Sequence, residues 1–136
     1  MGPTLVIATI AAWALALFVS YSFFKAGKFK LTATREAMLG AGFGWIEKLP
    51  TSAVRLIAIL ELAGAAGIIL APAADQVLGL TWAGIFGILA AAGLALTMLV
   101  AGIMHIVRGE FKYTYKANVS LFAFSAVLAG LLIFIG

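Results

Sequence analysis

Four apolar stretches, at about residues 3–24, 51–72, 81–105 and 117–135, alternate with shorter polar ones along the chain. Each is close to the roughly 20 residues that an α-helix needs to cross a hydrocarbon core. The pattern predicts an all-α fold, a polytopic membrane four-helix bundle forming one domain over residues 1–136. The first and last stretches contain no charge. Basic residues follow the first apolar core instead of preceding it, so that segment reads as a retained helix and not as a cleaved signal peptide.

The first connection is more than a linker. Met38, Leu39, Phe43, Trp45, Ile46 and Leu49 alternate there with Arg35, Glu36, Glu47 and Lys48. This predicts a short amphipathic helix near 34–46 lying at headgroup level, broken by Gly40, Gly42 and Gly44 and anchored by Trp45. Trp13 and Trp82 read in the same way, as interfacial or packing residues.

Charge then orients the bundle. Lys25, Lys28, Lys30, Arg35, Lys48 and Arg55 cluster around the first connection, and Arg108, Lys112 and Lys116 lie in the third. All nine basic residues therefore fall on one side, and the intervening 73–80 connection contributes only Asp75. The positive-inside rule places both basic loops in the cytoplasm and both termini outside, in a multi-pass protein of the cell membrane.

Composition narrows the chemistry. Of 136 residues, 65% are hydrophobic and 10% charged, with a mean hydropathy of +1.18, which excludes a soluble globular domain. The lipid bilayer is the implied partner, and a net charge of +4 used for topology calls for no nucleic acid. With no cysteine and one histidine, thiol chemistry, iron–sulfur ligation and bis-histidine haem within one chain drop out. No metal-ligand spacing, phosphate loop or hydrolytic triad occurs, so no catalytic residue, metal site or intrinsic cofactor is assigned.

What remains is one acid inside a span. Glu61 lies about 15 Å from either end of the second stretch, where an ionised carboxylate costs about 2.5–3.5 kcal/mol on insertion scales. Ala58, Glu61, Gly64 and Ala65 share a small-residue face that directs it into the bundle, and Gly87, Ala91, Ala95, Met98, Gly102 and His105 line the corresponding stripe of the third span. Direct contact between Glu61 and His105 is not expected, since their depths differ by about 15 Å. Arg55, six residues before Glu61, is also poorly placed to pair with it within one helix. Lys30, Arg55, Glu61 and His105 thus form a candidate cytoplasmic-leaflet polar cluster, with water, a head group, Lys28 or Lys30 bridging its gaps. The structural alternative is a protonated Glu61 donating to a neighbouring helix carbonyl, with Arg55, Arg108 and Lys112 snorkelling to the interface.

Three segments in order carry a family resemblance. Gly27 with Lys30-Leu31-Thr32, then Arg55-Leu56-Ile57 leading to Glu61-Leu62-Ala63-Gly64-Ala65-Ala66-Gly67 and Pro72, then Gly93 to Met98 with Ala101, His105, Arg108, Gly109 and Glu110, together resemble the signature of the DoxX-like family of small four-helix integral membrane proteins. Ala58 stands where that family tends to have glycine. The resemblance implies the membrane fold; some members are linked to quinone-dependent sulfur oxidation, and distant relatives act as membrane chaperones. It implies no shared reaction.

The expected function is a non-catalytic binding or accessory protein that uses the polar cluster to hold a lipid-like or quinone-like head group or to dock a partner. The alternative is a proton-relaying component of a quinone-linked membrane oxidoreductase, with electrons supplied from elsewhere. A proton or solute pathway ranks below both, since there is one intramembrane acid and no evident inverted repeat. The small-residue stripes suit contacts within the chain, with a partner subunit or in a homo-oligomer.

Overall fold

The computed structural model describes residues 2–136. Four long helices form an antiparallel bundle: α1 (Pro3–Thr32), α3 (Thr51–Gln76), α4 (Gly84–Val107) and α5 (Phe111–Ile135), with the short α2 (Arg35–Gly40) between the first two. All four are long and apolar enough to cross a membrane. α1 packs beside α3 and α5, and α4 beside α3 and α5, which closes a ring.

Two helices run further into the basic region than the hydropathy pattern predicts. α1 continues past Phe24 to Thr32, and α5 begins at Phe111 instead of Ala117, so Lys25, Lys28, Lys30, Lys112 and Lys116 are helical residues and not loop residues. Lysine is a good helix former, so the edge of the lipid is not the edge of the helix. Pro72 likewise lies inside α3, which runs on to Gln76. The freed backbone groups of a proline in a membrane helix are readily satisfied locally.

The amphipathic segment is shorter than predicted. α2 has six residues, capped by the Thr34 hydroxyl accepting from the Ala37 N–H, and Gly42 at φ +93° turns the chain into a 3₁₀ turn at Gly44–Ile46. Met38, Ile46 and Val54 form a small core with Phe29, Phe43, Trp45 and Leu49 packed against it. The segment therefore folds back over the basic end of the bundle. Arg35 fastens it, donating to the carbonyls of Ile46 (2.7 Å) and Glu47 (3.2 Å) and to Thr51 Oγ1 (3.3 Å).

The main core joins Ala12, Ala16, Val19 and Phe23 of α1 with Ala65 and Ile68, Ala91 and Leu94, and Leu128 and Leu132. Lipid tails are as apolar as leucine, so helix association here depends on close packing. The expected small-residue stripes are the buried ones: Ala58, Glu61 and Ala65 on α3, and Gly87, Ala91, Ala95 and Gly102 on α4. A Cβ at Gly67 would lie 2.9 Å from Ala90 Cβ, whereas one at Gly93 meets nothing within 4 Å. Neither Cβ of the 67–90 contact can rotate away, so Gly67→Ala should push α3 from α4 and cost about 1–3 kcal/mol. Gly93→Ala should be neutral or stabilising by up to about 1 kcal/mol. Thermal unfolding of both variants in detergent checks the contrast, and equal effects would contradict it.

Candidate functional site

Three cross-helix bonds fix the register of α1 against α3. Trp13 Nε1 donates to Gln76 Oε1 (2.9 Å), Ser20 Oγ to the Ala65 carbonyl (2.8 Å) and Arg55 Nη1 to the Lys30 carbonyl (2.6 Å). Arg55 is thereby level with Lys30, and Glu61 stands about 9 Å further into the membrane. Side chains lean toward the N-terminus of their own helix. In an antiparallel pair this means that Lys30 leans inward and Glu61 leans toward the basic end.

They meet. Lys30 Nζ lies 2.6 Å from Glu61 Oε1, with side-chain exposures of 12% and 2%. The bridge anticipated between Arg55 and Glu61 is thus Lys30 itself, and Arg55 braces it from behind through the Lys30 carbonyl. Among the described residues, Glu61 makes no hydrogen bond to a neighbouring helix carbonyl. Its second oxygen, Oε2, is buried and has no hydrogen-bond partner among the described residues.

Phe43 closes the Lys30–Glu61 cluster from the segment that folds back over the basic end of the bundle. Its ring centroid is 6.0 Å from Lys30 Nζ, and it packs edge-on against Phe29 (5.4 Å) and stacks with Trp45 (5.9 Å). The sequence marks Phe43 only as an apolar position of an amphipathic stretch. Its place over Lys30 depends on the left-handed turn at Gly42.

His105 belongs to a second cluster. Its Nδ1 lies 2.8 Å from Glu110 Oε1, and Arg108 Nε donates to the same oxygen at 2.8 Å. The hydrogen bond with His105 is the main influence holding the Glu110 carboxyl below its ordinary 4.5; Arg108 adds to it and partial burial opposes it. Glu110 was not among the expected site residues. The signal that could have found it is Gly109 (φ +72°), which folds the chain at the end of α4 so that residue 110 returns to residue 105. The two clusters approach through the re-entrant segment: Arg108 Nη2 would lie 3.1 Å from a Cβ at Gly44, next to Phe43. Of the four expected residues, Lys30, Arg55 and Glu61 come together directly, and His105 does not.

Among the described residues, no group of three or more His, Cys, Asp or Glu side chains is placed to hold a metal ion. The arrangement defines an integral membrane helical bundle with a buried ion pair at one leaflet. The chain belongs to the DoxX-like family, whose model matches residues 9–134. No curated protein and no solved structure matches it.

Breaking a buried ion pair by removing one partner strands the other charge, typically at a cost of 3–5 kcal/mol. The two partners here are unequal, because Lys30 can swing toward the interface while Glu61 has no such route. Lys30→Met should therefore destabilise the bundle by about 3–5 kcal/mol and Glu61→Gln by less. The double variant should be more stable than Lys30→Met alone. Unfolding in detergent, read as a double-mutant cycle, checks this; strictly additive losses would show that the pair is not coupled.

Proposed function

We propose that this protein is a non-catalytic binding or accessory component of the cell membrane whose Lys30–Glu61–Arg55 cluster receives the polar head of a lipid-like or quinone-like molecule. The observation that carries this reading is the half-satisfied carboxylate. Oε1 is paired and Oε2 is not, and an unpaired buried acceptor on a charged group is costly to maintain. A hydroxyl or amine on a bound molecule would supply the missing donor, while Lys30 offers protons to a carbonyl or phosphate oxygen.

The same donor–acceptor pair favours the second reading specifically for a quinone. A quinol hydroxyl can donate to Glu61 Oε2, and a quinone carbonyl can accept from Lys30 Nζ, so both redox forms find a partner. In that role Glu61 would relay the proton, and a partner subunit would exchange the electrons.

Organic extraction and an optical spectrum of protein purified in mild detergent test these readings. The wild type should release a lipid-like compound bearing a hydroxyl, amine or carbonyl head, and folded Glu61→Gln and Lys30→Met should release much less. His105→Ala should retain it. A quinone in the extract would favour the relay. An extract unchanged by Glu61→Gln would remove the cluster as a binding site.

Orientation follows from charge, with the basic end in the cytoplasm and both termini outside. Because the chain has no cysteine, single cysteines report cleanly. Lys48→Cys should be shielded from an impermeant thiol reagent in intact cells and Gln76→Cys should be labelled; the opposite pattern would invert the topology.

A further inference from the structure

A groove of about 550 Å³ opens between α1 and α3 on the outside of the bundle. Leu17, Tyr21 and Phe24 form one wall, Leu62, Ala66 and Ile69 the other, and the Ser20–Ala65 hydrogen bond crosses its floor. Its walls are almost wholly apolar. What distinguishes it from an ordinary lipid-facing seam is what stands at its basic end.

On α1 the wall residues 17, 21 and 24 continue at the next helical step in Lys28, and on α3 the wall residues 69, 66 and 62 continue a heptad earlier in Arg55. Both stripes of the groove thus end in a cation. Lys28 is exposed, and its ammonium makes no hydrogen bond or ion pair among the described residues. Its side chain leans toward the groove, because that is the direction of the α1 N-terminus. Arg55 spends Nη1 on the Lys30 carbonyl and keeps its other guanidinium donors, whose planar fork suits a phosphate. From Arg55 to Ile69 the site extends about 21 Å along α3, enough to follow one leaflet from headgroup level past the midplane of a roughly 30 Å core.

From this juxtaposition we infer that the α1–α3 groove is a specific site for one anionic phospholipid of the basic-end leaflet, with an acyl chain in the groove and the phosphate between Lys28 and Arg55. Two cations and one neighbouring apolar channel select a head group of net negative charge. A zwitterionic lipid brings the same tail and phosphate but adds a cation that Lys28 and Arg55 oppose. The site lies on the lipid-facing side and does not require a ligand at the Lys30–Glu61 pair.

The test is native mass spectrometry of the full chain from nanodiscs of equimolar phosphatidylglycerol and phosphatidylcholine, with thermal unfolding of each variant to confirm folding. The wild type should retain phosphatidylglycerol preferentially. Lys28→Gln, at an exposed position, should reduce that retention about fivefold, the effect of one cation near an anionic surface. Ala66→Phe, also exposed, should fill the groove and abolish retention. Lys112→Gln, an exposed lysine on α5 at the same end, should leave it unchanged, and Glu61→Gln should not lower it, which separates this site from the internal cluster. Equal retention of the two lipids, or equal losses in Lys28→Gln and Lys112→Gln, would overturn the assignment. So would a dimer that Ala66→Phe dissolves without changing phosphatidylglycerol retention, since the groove would then be covered by a second copy.

Discussion

The Lys30–Glu61 contact is the constraint around which the basic half of the bundle is arranged. An ionised carboxylate at this depth is costly unless a cation reaches it, and reaching it imposes conditions on everything nearby. α1 must remain helical through Lys30, beyond the uncharged stretch that ends at Phe24. α1 and α3 must be antiparallel, so that the two side chains lean toward each other across about 9 Å of rise. Their register must hold to within a residue, which the Arg55, Ser20 and Trp13 bonds secure. Gly27 permits the close approach, since a Cβ there would lie 2.9 Å from Leu62 Cγ and 3.1 Å from the Ala58 carbonyl.

The re-entrant segment answers the remaining difficulty, which is water. An ion pair whose cation enters from the end of a span is weakened when the interface is open, because water competes for both partners. Phe43 stands over Lys30 and is backed by Phe29 and Trp45, and Arg35 ties the segment's ends by donating to the Ile46 and Glu47 carbonyls. Arg108 reaches the same segment from α4. Of the nine basic residues at this end of the bundle, only some are held internally. Lys30 and Arg108 pair with Glu61 and Glu110, and Arg35 and Arg55 with backbone oxygens, whereas Lys25, Lys28, Lys48, Lys112 and Lys116 face outward.

Hydrophobic periodicity made the architecture legible, because the stripes through Ala58, Glu61 and Ala65 and through Gly87, Ala91 and Gly102 repeat at helical spacing over several turns. Helix ends were less legible for a specific reason: hydropathy reports where lipid ends, and Lys25 to Thr32 remains helical beyond that point. Candidate residues were legible as chemical types but only partly as partners. That Lys30 reaches Glu61 depends on inter-helix register and side-chain lean, neither of which is a property of one segment. Glu110 escaped because it lies outside a span, and its contact with His105 is created by a left-handed glycine. The groove shows the same division. Its two stripes can be read from spacing, but that they flank one channel depends on α1 and α3 being neighbours.

Both polar features of α3 follow from one arrangement of small residues. The face containing Ala58, Glu61 and Ala65 is narrow enough for α1 to come close, which buries Glu61 against Lys30. The same close approach sets Leu62, Ala66 and Ile69 at the edge of the contact, where the small side chain of Ala66 leaves a channel between larger neighbours. Arg55 stands where the two meet, one nitrogen committed to the α1 backbone behind the ion pair and the others free at the mouth of the channel. A substitution at Arg55 would therefore disturb the inner pair and the outer surface together, whereas Lys28 and Glu61 each touch only one of them. These two residues, and not the arginine between them, are the positions at which the proposed internal and lipid-facing roles of this helix pair separate.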